Sequence, residues 1–382
     1  EDDFEKRVVA DFSRQLEAMV RRHPSQWLWA HRRWKSSPDR DIVVLDDGRK
    51  GHTHQSQALA AQVSARRAET TEFHASAEPG GTPSTRADLT RTRVIEVRYR
   101  SSWTRGALTL YGMLTRGHLW GGMRCLAWAL EAESYRALST APADTVISCG
   151  TSTEAVNLIL ARDCAARSCY IQKPQFGGRF FSTVLVPGHD RIKAGRNTLK
   201  TRGALSFVHP ERLRQLRERA RAEAGIAPGS RAAALLIGGP SKHTAWDPAA
   251  LEKIFFGLRE FSREHKLYLL VTTSRRTDPA VESAVERLFT GEPTCPVIVI
   301  PTRSNPSHAY EGILAAADLV LVTTDSVSMI SEAVATGKPV GLVDPASHAA
   351  GTRRGGKLGR FLAHLEREGA AARVDAQSLS GF

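Results

Sequence analysis

The sequence predicts an α/β protein: two Rossmann-like domains facing a cleft, with a helical appendage in front. Three observations predict it. Short apolar runs of strand length alternate with segments of helical spacing, which implies parallel sheets covered on both faces. Each polar or glycine-rich cluster follows an apolar run, the place where such folds bind ligands. At 382 residues, 41% of them hydrophobic, the chain is long enough for two cores.

Residues 1–37 read as the appendage. Phe4, Val8, Phe12, Leu16 and Met19 recur every three or four positions, the spacing of an amphipathic helix. Arg22 to Lys35 then sets Trp27, Trp29 and Trp34 among arginine, lysine and histidine. Rings beside cations suit a membrane–water interface, and equally a tail that packs on a neighbouring protein. From Asp41 the texture changes. Ile42 to Leu45 is a buried strand that opens into a loop, Asp46-Asp-Gly-Arg-Lys-Gly-His-Thr-His54, and Gln55 to Arg67 is a helix. Glu78 to Asp88 is a loop and Val94 to Val97 a strand. Residues 103–130, rich in Trp, Leu, Tyr and Met with Arg105, Arg116 and Arg124, read as a buried helical hairpin or as a helical pair leaning on a membrane; core burial is the commoner fate of such residues. Thr145 to Ser148 is a strand ending in Cys-Gly-Thr-Ser-Thr-Glu154, and Thr183 to Val186 is the last clear strand of this half.

Residues 209–230 read as a charged helix and a hinge. Ala232 to Ile237, Leu267 to Val271, Val297 to Ile300, Leu319 to Val322 and Val340 to Val343 are the strands of the second half. The divisions are 1–37, 41–208 for an acceptor domain, 229–350 for a donor domain, and 351–382 for a C-terminal helix packing back toward the first domain.

The net charge is +13, which attracts polyanions: nucleic acid, anionic membrane or phosphorylated glycolipid. No RNA-stacking motif or DNA-reading helix stands out, so nucleic acid ranks last. Five cysteines without a CxxC pair point to reduced thiols in a cytoplasmic setting. No run has the length of a transmembrane helix. The chain starts at Glu1 rather than Met, so an upstream segment is expected.

Five stretches carry a family resemblance: Leu45 to Gln55, Val186 to Arg191, Ile237 to His243, Thr273 to Thr277 and Thr323 to Met329. Occurring in this order, they resemble the mitochondrial-fission ELM family over residues 41–375. The resemblance implies a GT-B fold and kinship with transferases of envelope sugars, including Kdo. His23 to Lys35 resembles the C-terminal end of lauroyl-type lipid A acyltransferases. That implies a fusion with an upstream acyltransferase domain, joined at Ser36 to Asp39, and a place on the cytoplasmic face of the bacterial inner membrane.

Sugar transfer needs a base for the acceptor hydroxyl and groups that stabilise the departing phosphate. Asp47 or His52 is the candidate base, with Gly48, Gly51 and Gln55 beside them. A turn-forming Asp before Gly is the structural alternative for Asp47. On the donor side Gly238, Gly239, Ser241 and Lys242 form a glycine-rich turn expected to cradle phosphate, and Ser274, Arg275 and Arg276 neutralise the leaving group. Asp325, Ser326, Ser328, Met329 and Glu332 crowd a helix N-terminus, which attracts phosphate, with Glu332 placed for sugar hydroxyls. His189 and Asp190 contact either the acceptor or the domain junction. His52 and His54 without a placed carboxylate make a weak metal site, so no metal and no cofactor is expected, only a nucleotide-sugar donor. CMP-Kdo or a UDP-sugar is the expected donor, a phosphorylated glycolipid of the lipid A or lipopolysaccharide-core type the acceptor, and an anionic membrane surface a partner. A non-catalytic membrane-associated scaffold is the alternative.

Overall fold

The computed structural model describes residues 2–23, 40–77, 90–190, 195–240, 246, 248–304, 306, 308–344 and 356–374. A helix, α1 (Asp2–Arg22), leaves Phe4, Val8, Phe12 and Met19 exposed. The tryptophan-rich segment after it, including Ser36 to Asp39, lies outside the described residues.

The first domain runs β1 (Arg40–Asp46), α2 (Lys50–Ala77), β2 (Thr90–Glu96), α3 (Ser102–Leu114), α4 (Met123–Ala129), α5 (Ala132–Ser139), β3 (Thr145–Cys149), α6 (Glu154–Asp163), β4 (Arg167–Ile171), β5 (Thr183–Pro187) and β6 (Thr198–Thr201). Its six strands form one parallel sheet in the order β2-β1-β3-β4-β5-β6. Strand alternation divides β1 between two cores. Ile42 and Val44 pack with Ala60 and Ile147 on the α2 side, while Val43 and Leu45 pack with Leu108, Leu126 and Ile159 on the other. Both faces are dry, which is why β1 reads as an unbroken apolar run.

The second domain runs α7 (Pro210–Glu223), β7 (Ala232–Leu236), α8 (Pro248–Glu264), β8 (Tyr268–Thr272), α9 (Pro279–Phe289), β9 (Val297–Val299), α10 (Ala309–Ala316), β10 (Leu319–Thr323), α11 (Val327–Ala335), β11 (Val340–Val343), α12 (Lys357–Arg367) and β12 (Ala372–Arg373). The sheet order is β12-β11-β10-β7-β8-β9, again all parallel. Leu235 and Ile237 pack on Leu251, Phe255 and Val281; Ala234 and Leu236 pack on Leu213, Ile313, Ile330 and Phe361.

Several sequence expectations change. The helix expected from Gln55 begins at Lys50, because the turn at Gly48 (φ +77°) frees the Arg49 carbonyl to accept from His52 and Thr53. His52 and His54 therefore stand on the first turns of α2, not in a loop. β4 and β6 were not legible as strands. β4 alternates small polar residues with Tyr170, which is fully buried, and β6 is a half-exposed polar edge. The charged helix expected within 209–230 is α7, and it docks on its own domain: α7 buries Leu213, and Arg221, nine-tenths buried, donates to the carbonyls of Ala316 and Ser230. Residues 103–130 are not a buried hairpin. Leu108, Leu119, Leu126 and Leu130 face the core, but Trp103, Leu110, Met113, Leu114, Trp120 and Trp128 face outward.

Two contacts tie the halves together. Gly203 lies so close to α11 that a Cβ would stand 2.5 Å from Ser331 Oγ, and that hydroxyl accepts from Ala204 N at 2.9 Å. From the other side α12 reaches Gly188, His189 and Asp190 through His364, Phe361 and Lys357.

Candidate functional site

In the first sheet the chain goes from β1 outward to β2, then returns to the other side of β1 for β3. Loops leaving the carboxyl ends of β1 and β3 therefore part to opposite faces and open a crevice. The second sheet has the same reversal between β7 and β10. Each half thus owns one crevice, and the polar residues that follow β1, β3, β7, β8 and β10 fall into these two places.

In the first crevice, Asp47 comes from the β1–α2 connection, His52 from the first turn of α2 and Ser152 from the turn after β3. Asp47 Oδ2 lies 2.9 Å from His52 Nδ1 and accepts from Ser152 Oγ at 2.6 Å, while Asp47 Oδ1 accepts from Arg49 N at 3.2 Å. The Asp47 side chain is 4% exposed and that of His52 18%. Burial pushes the Asp47 carboxyl up, but the hydrogen bonds from Ser152 and His52 and the pairing with His52 outweigh it and hold the group below its ordinary range. A carboxylate only accepts, so Nδ1 of His52 carries the proton and Nε2 is left with a lone pair. Gly150 (φ +91°) makes the approach possible: a Cβ there would stand 2.4 Å from His52 Nδ1.

The other first-half candidates have local roles. Gly48 N donates to Asp46 Oδ1 at 2.8 Å and turns the chain. Gly51 sits inside α2 with open space around it, and Gln55 Nε2 donates to its carbonyl at 3.2 Å. His189 is buried with its ring 5.0 Å from Phe361, and Asp190 pairs with Lys357 at 3.3 Å, so both face α12 at the junction. His54 is half-buried against Phe207, and burial lowers its pKa.

In the second crevice the glycines do something other than what the sequence suggests. Gly238 N donates to Thr323 Oγ1 at 2.8 Å and Gly239 N to Asp325 Oδ2 at 2.7 Å, so these two N–H groups are already used within the protein. The glycines are needed for closeness: a Cβ on Gly238 would stand 2.1 Å from Asp325 Oδ2, and one on Gly239 2.2 Å from the Arg276 carbonyl. Ser241 and Lys242 lie outside the described residues. Ser274 and Thr277 close a tight turn after β8 that leaves the side chains of Arg275 and Arg276 exposed. Ser326 caps α11, Ser328 is exposed on its first turn, and Met329 packs into the core.

Sequence reasoning missed Tyr310 here, whereas Asp325 and Glu332 are among its candidates. Tyr310 donates to Glu332 Oε2 at 2.7 Å and fixes that carboxylate. The side-chain oxygens Thr273 Oγ1, Thr324 Oγ1 and Asp325 Oδ1 are buried without a hydrogen-bond partner among the described residues. Burial pushes the pKa of both Asp325 and Glu332 up. Thr273, Thr324 and Ser152 were visible as polar residues after strands, whereas nothing in the sequence pairs Tyr310 with Glu332. Among the described residues no cluster of three His, Cys, Asp or Glu is placed to hold a metal.

Two parallel Rossmann-like domains, each with its polar crevice at the strand-order reversal, define a two-domain α/β protein. A family model described as mitochondrial fission ELM1 matches residues 50–380, and the chain belongs to that family. No curated protein matches the sequence. Among solved structures, Acinetobacter baumannii MurG is 13% identical, with TM-score 0.43, 89% of this chain covered and 87% of that one. A family 9 glycosyl transferase from Veillonella parvula is 13% identical, with TM-score 0.42 and coverages of 88% and 85%. The UDP-GlcNAc 2-epimerase from Neisseria meningitidis, bound to UDP-GlcNAc, is 10% identical, with TM-score 0.42 and coverages of 86% and 91%. At these scores the likenesses carry nothing on activity.

Proposed function

We propose that the protein transfers a sugar from a nucleotide-activated donor to a phosphorylated glycolipid acceptor at the cytoplasmic face of the bacterial inner membrane. The observation that carries this reading is the pairing of two unlike crevices, one with an oriented imidazole and one with unsatisfied buried oxygens. In the first, His52 Nε2 takes the proton from an acceptor hydroxyl while Asp47 holds the ring and stabilises the imidazolium. The acceptor oxygen bonds to the anomeric carbon, and the bond from that carbon to the phosphate oxygen breaks. Its electron pair leaves with the nucleotide. Arg275, Arg276 and the N-terminus of α11 offset that charge, and Glu332, fixed by Tyr310, accepts from sugar or ribose hydroxyls. Thr273, Thr324 and Asp325 supply the remaining polar contacts. Ser241 and Lys242, which follow the two glycines in the sequence, are assigned to donor phosphate. CMP-Kdo or a UDP-sugar is the donor under this reading and lipid A or lipopolysaccharide core the acceptor. The acyltransferase-like segment after α1 supports that acceptor class, because fused enzymes serve one pathway.

A thermal-shift screen with CMP, UDP, GDP and ADP tests the reading. One nucleotide should stabilise the chain selectively, by about 2.7 kcal/mol at a hundredfold excess over its dissociation constant. Glu332→Ala and Arg275→Ala should remove the shift. No stabilisation by any nucleotide, in folded protein, would favour a non-catalytic scaffold with the same fold.

A further inference from the structure

The helical pair α3–α4 presents an apolar surface that the fold leaves uncovered. Its inner side is ordinary core: Leu108, Leu126 and Ala129 are buried, and Gly112 lies so close to the Phe176 ring that a Cβ would stand 2.4 Å from it. Its outer side exposes Trp103 (70%), Leu114 (76%), Trp120 (67%), Leu110, Met113 and Trp128. The tryptophans are held in place. Trp103 and Trp128 pack edge to face at 5.6 Å, His118 stacks on Trp120, and Tyr111 OH donates to the Trp120 carbonyl at 3.1 Å. Such rings expose a large apolar area without losing much side-chain freedom on docking.

The charged side chains within this segment have one sign. Residues 102–129 contain Arg105, Arg116 and Arg124 and no Asp or Glu. All three arginines are exposed, and none has a carboxylate partner among the described residues. A second copy docked here about a two-fold axis would set these arginines against one another with no acid in the patch to answer them. Nucleic acid would match the arginines and rings but has no use for Leu110, Met113 and Leu114. An anionic bilayer fits both features: aliphatic and indole groups enter the headgroup boundary while guanidinium groups meet lipid phosphates.

The patch is also continuous with the first crevice. A cavity of about 350 Å³ lies between them, lined by Leu110, Met113 and Arg105 on the α3 side and by Arg49 and Ser152 on the crevice side. Ser152 is the residue that donates to Asp47. We infer that the outer face of α3–α4 docks the protein on an anionic lipid bilayer and that the adjoining cavity admits a lipid-borne phosphorylated headgroup to the Asp47–His52–Ser152 site. The docking half of this inference stands without turnover; the headgroup half rests on the transferase reading.

Vesicle co-sedimentation of the full chain tests it, with vesicles of phosphatidylcholine alone or mixed with phosphatidylglycerol. The chain should bind the anionic vesicles and not the neutral ones. A Trp120→Ser, Arg116→Glu, Arg124→Glu variant should lose at least about twenty-five-fold in partitioning, about fivefold for each arginine removed. Its circular dichroism and any nucleotide-dependent thermal shift should be unchanged, because none of the three residues lines the cavity or either crevice. α1 is the competing amphipathic element, so Phe4→Ser, Phe12→Ser is the paired variant and should retain binding. Loss in the α1 variant alone would overturn the assignment, as would equal binding to neutral vesicles or a shift of the wild-type chain to a dimer that the α3–α4 variant abolishes. A nucleotide shift without vesicle binding sinks the docking face and leaves the transferase reading intact. Vesicle binding without a nucleotide shift does the reverse.

Discussion

The two crevices occupy equivalent topological places yet are built in opposite ways. In the first, both oxygens of Asp47 and the hydroxyl of Ser152 are hydrogen-bonded to one another or to the neighbouring backbone. In the second, three buried side-chain oxygens at the ends of β8 and β10 have no partner among the described residues. Leaving a buried polar group unsatisfied costs about 1–3 kcal/mol, so a fold keeps three together only where something offsets the cost. A saturated network fixes the position of one reactive group. An unsaturated one leaves polar atoms open to a ligand. Under the proposed function, the first half moves the proton and the second binds the ligand.

Separating turnover from binding is the sharpest way to break that contrast. His52→Ala should cost about 10³-fold in transfer, within the range of a general base, and should leave nucleotide stabilisation unchanged. Asp47→Asn should cost about 10²-fold, since an amide can also donate to Nδ1 and so turn the tautomer. The double variant should be no slower than His52→Ala alone if the two act as a unit. Were the nucleotide shift to fall with turnover, the first crevice would be a binding site as well.

A smaller effect is expected at the glycine turn. Gly239→Ala places a Cβ 2.2 Å from a backbone carbonyl, which cannot swing away as a side chain tip could. It should destabilise the chain by about 1–3 kcal/mol and abolish the nucleotide shift, while Gly51→Ala, in open space in the first half, should do neither. Chemical denaturation of each variant with and without nucleotide reads both.

The smallest effect is in pH dependence. Asp47 has a lowered pKa, so its contribution to stability is present above its unfolded value and is lost as pH falls through the folded one. Asp325 and Glu332 have raised values and bind more protons folded than unfolded, so their contribution declines as pH rises from the unfolded toward the folded value. Glu332→Gln removes one of these terms. Its stability relative to wild type should rise with pH over that window, while Tyr310 still donates to the amide. A flat difference in denaturation midpoints would show that Glu332 is not held up by burial.

The second crevice was better legible than the first. Thr323 to Glu332 announces itself because an apolar strand, an N-cap serine and helical spacing are all local signals. Asp47 and His52 were legible as polar residues after a strand, but Ser152 lies 105 positions further along, and only sheet closure brings it to Asp47. Met329 misled for a related reason: it sits in a polar motif, yet helical rotation points it into the core. β4 and β6 escaped notice because one is buried through a tyrosine among small residues and the other is a polar edge.

The sequence by itself determined that this is an α/β chain of two halves, where most strands run, and which polar clusters follow them. Periodicity and turn chemistry are properties of neighbouring residues, and they survive in a one-dimensional record. The tertiary structure decided which of those clusters meet. It joined Ser152 to Asp47, set Tyr310 on Glu332, closed the glycine turn around Asp325, and turned the tryptophans of α3–α4 outward. Each of these depends on strand order or helix rotation, and both are fixed by long-range packing rather than by the residues beside them.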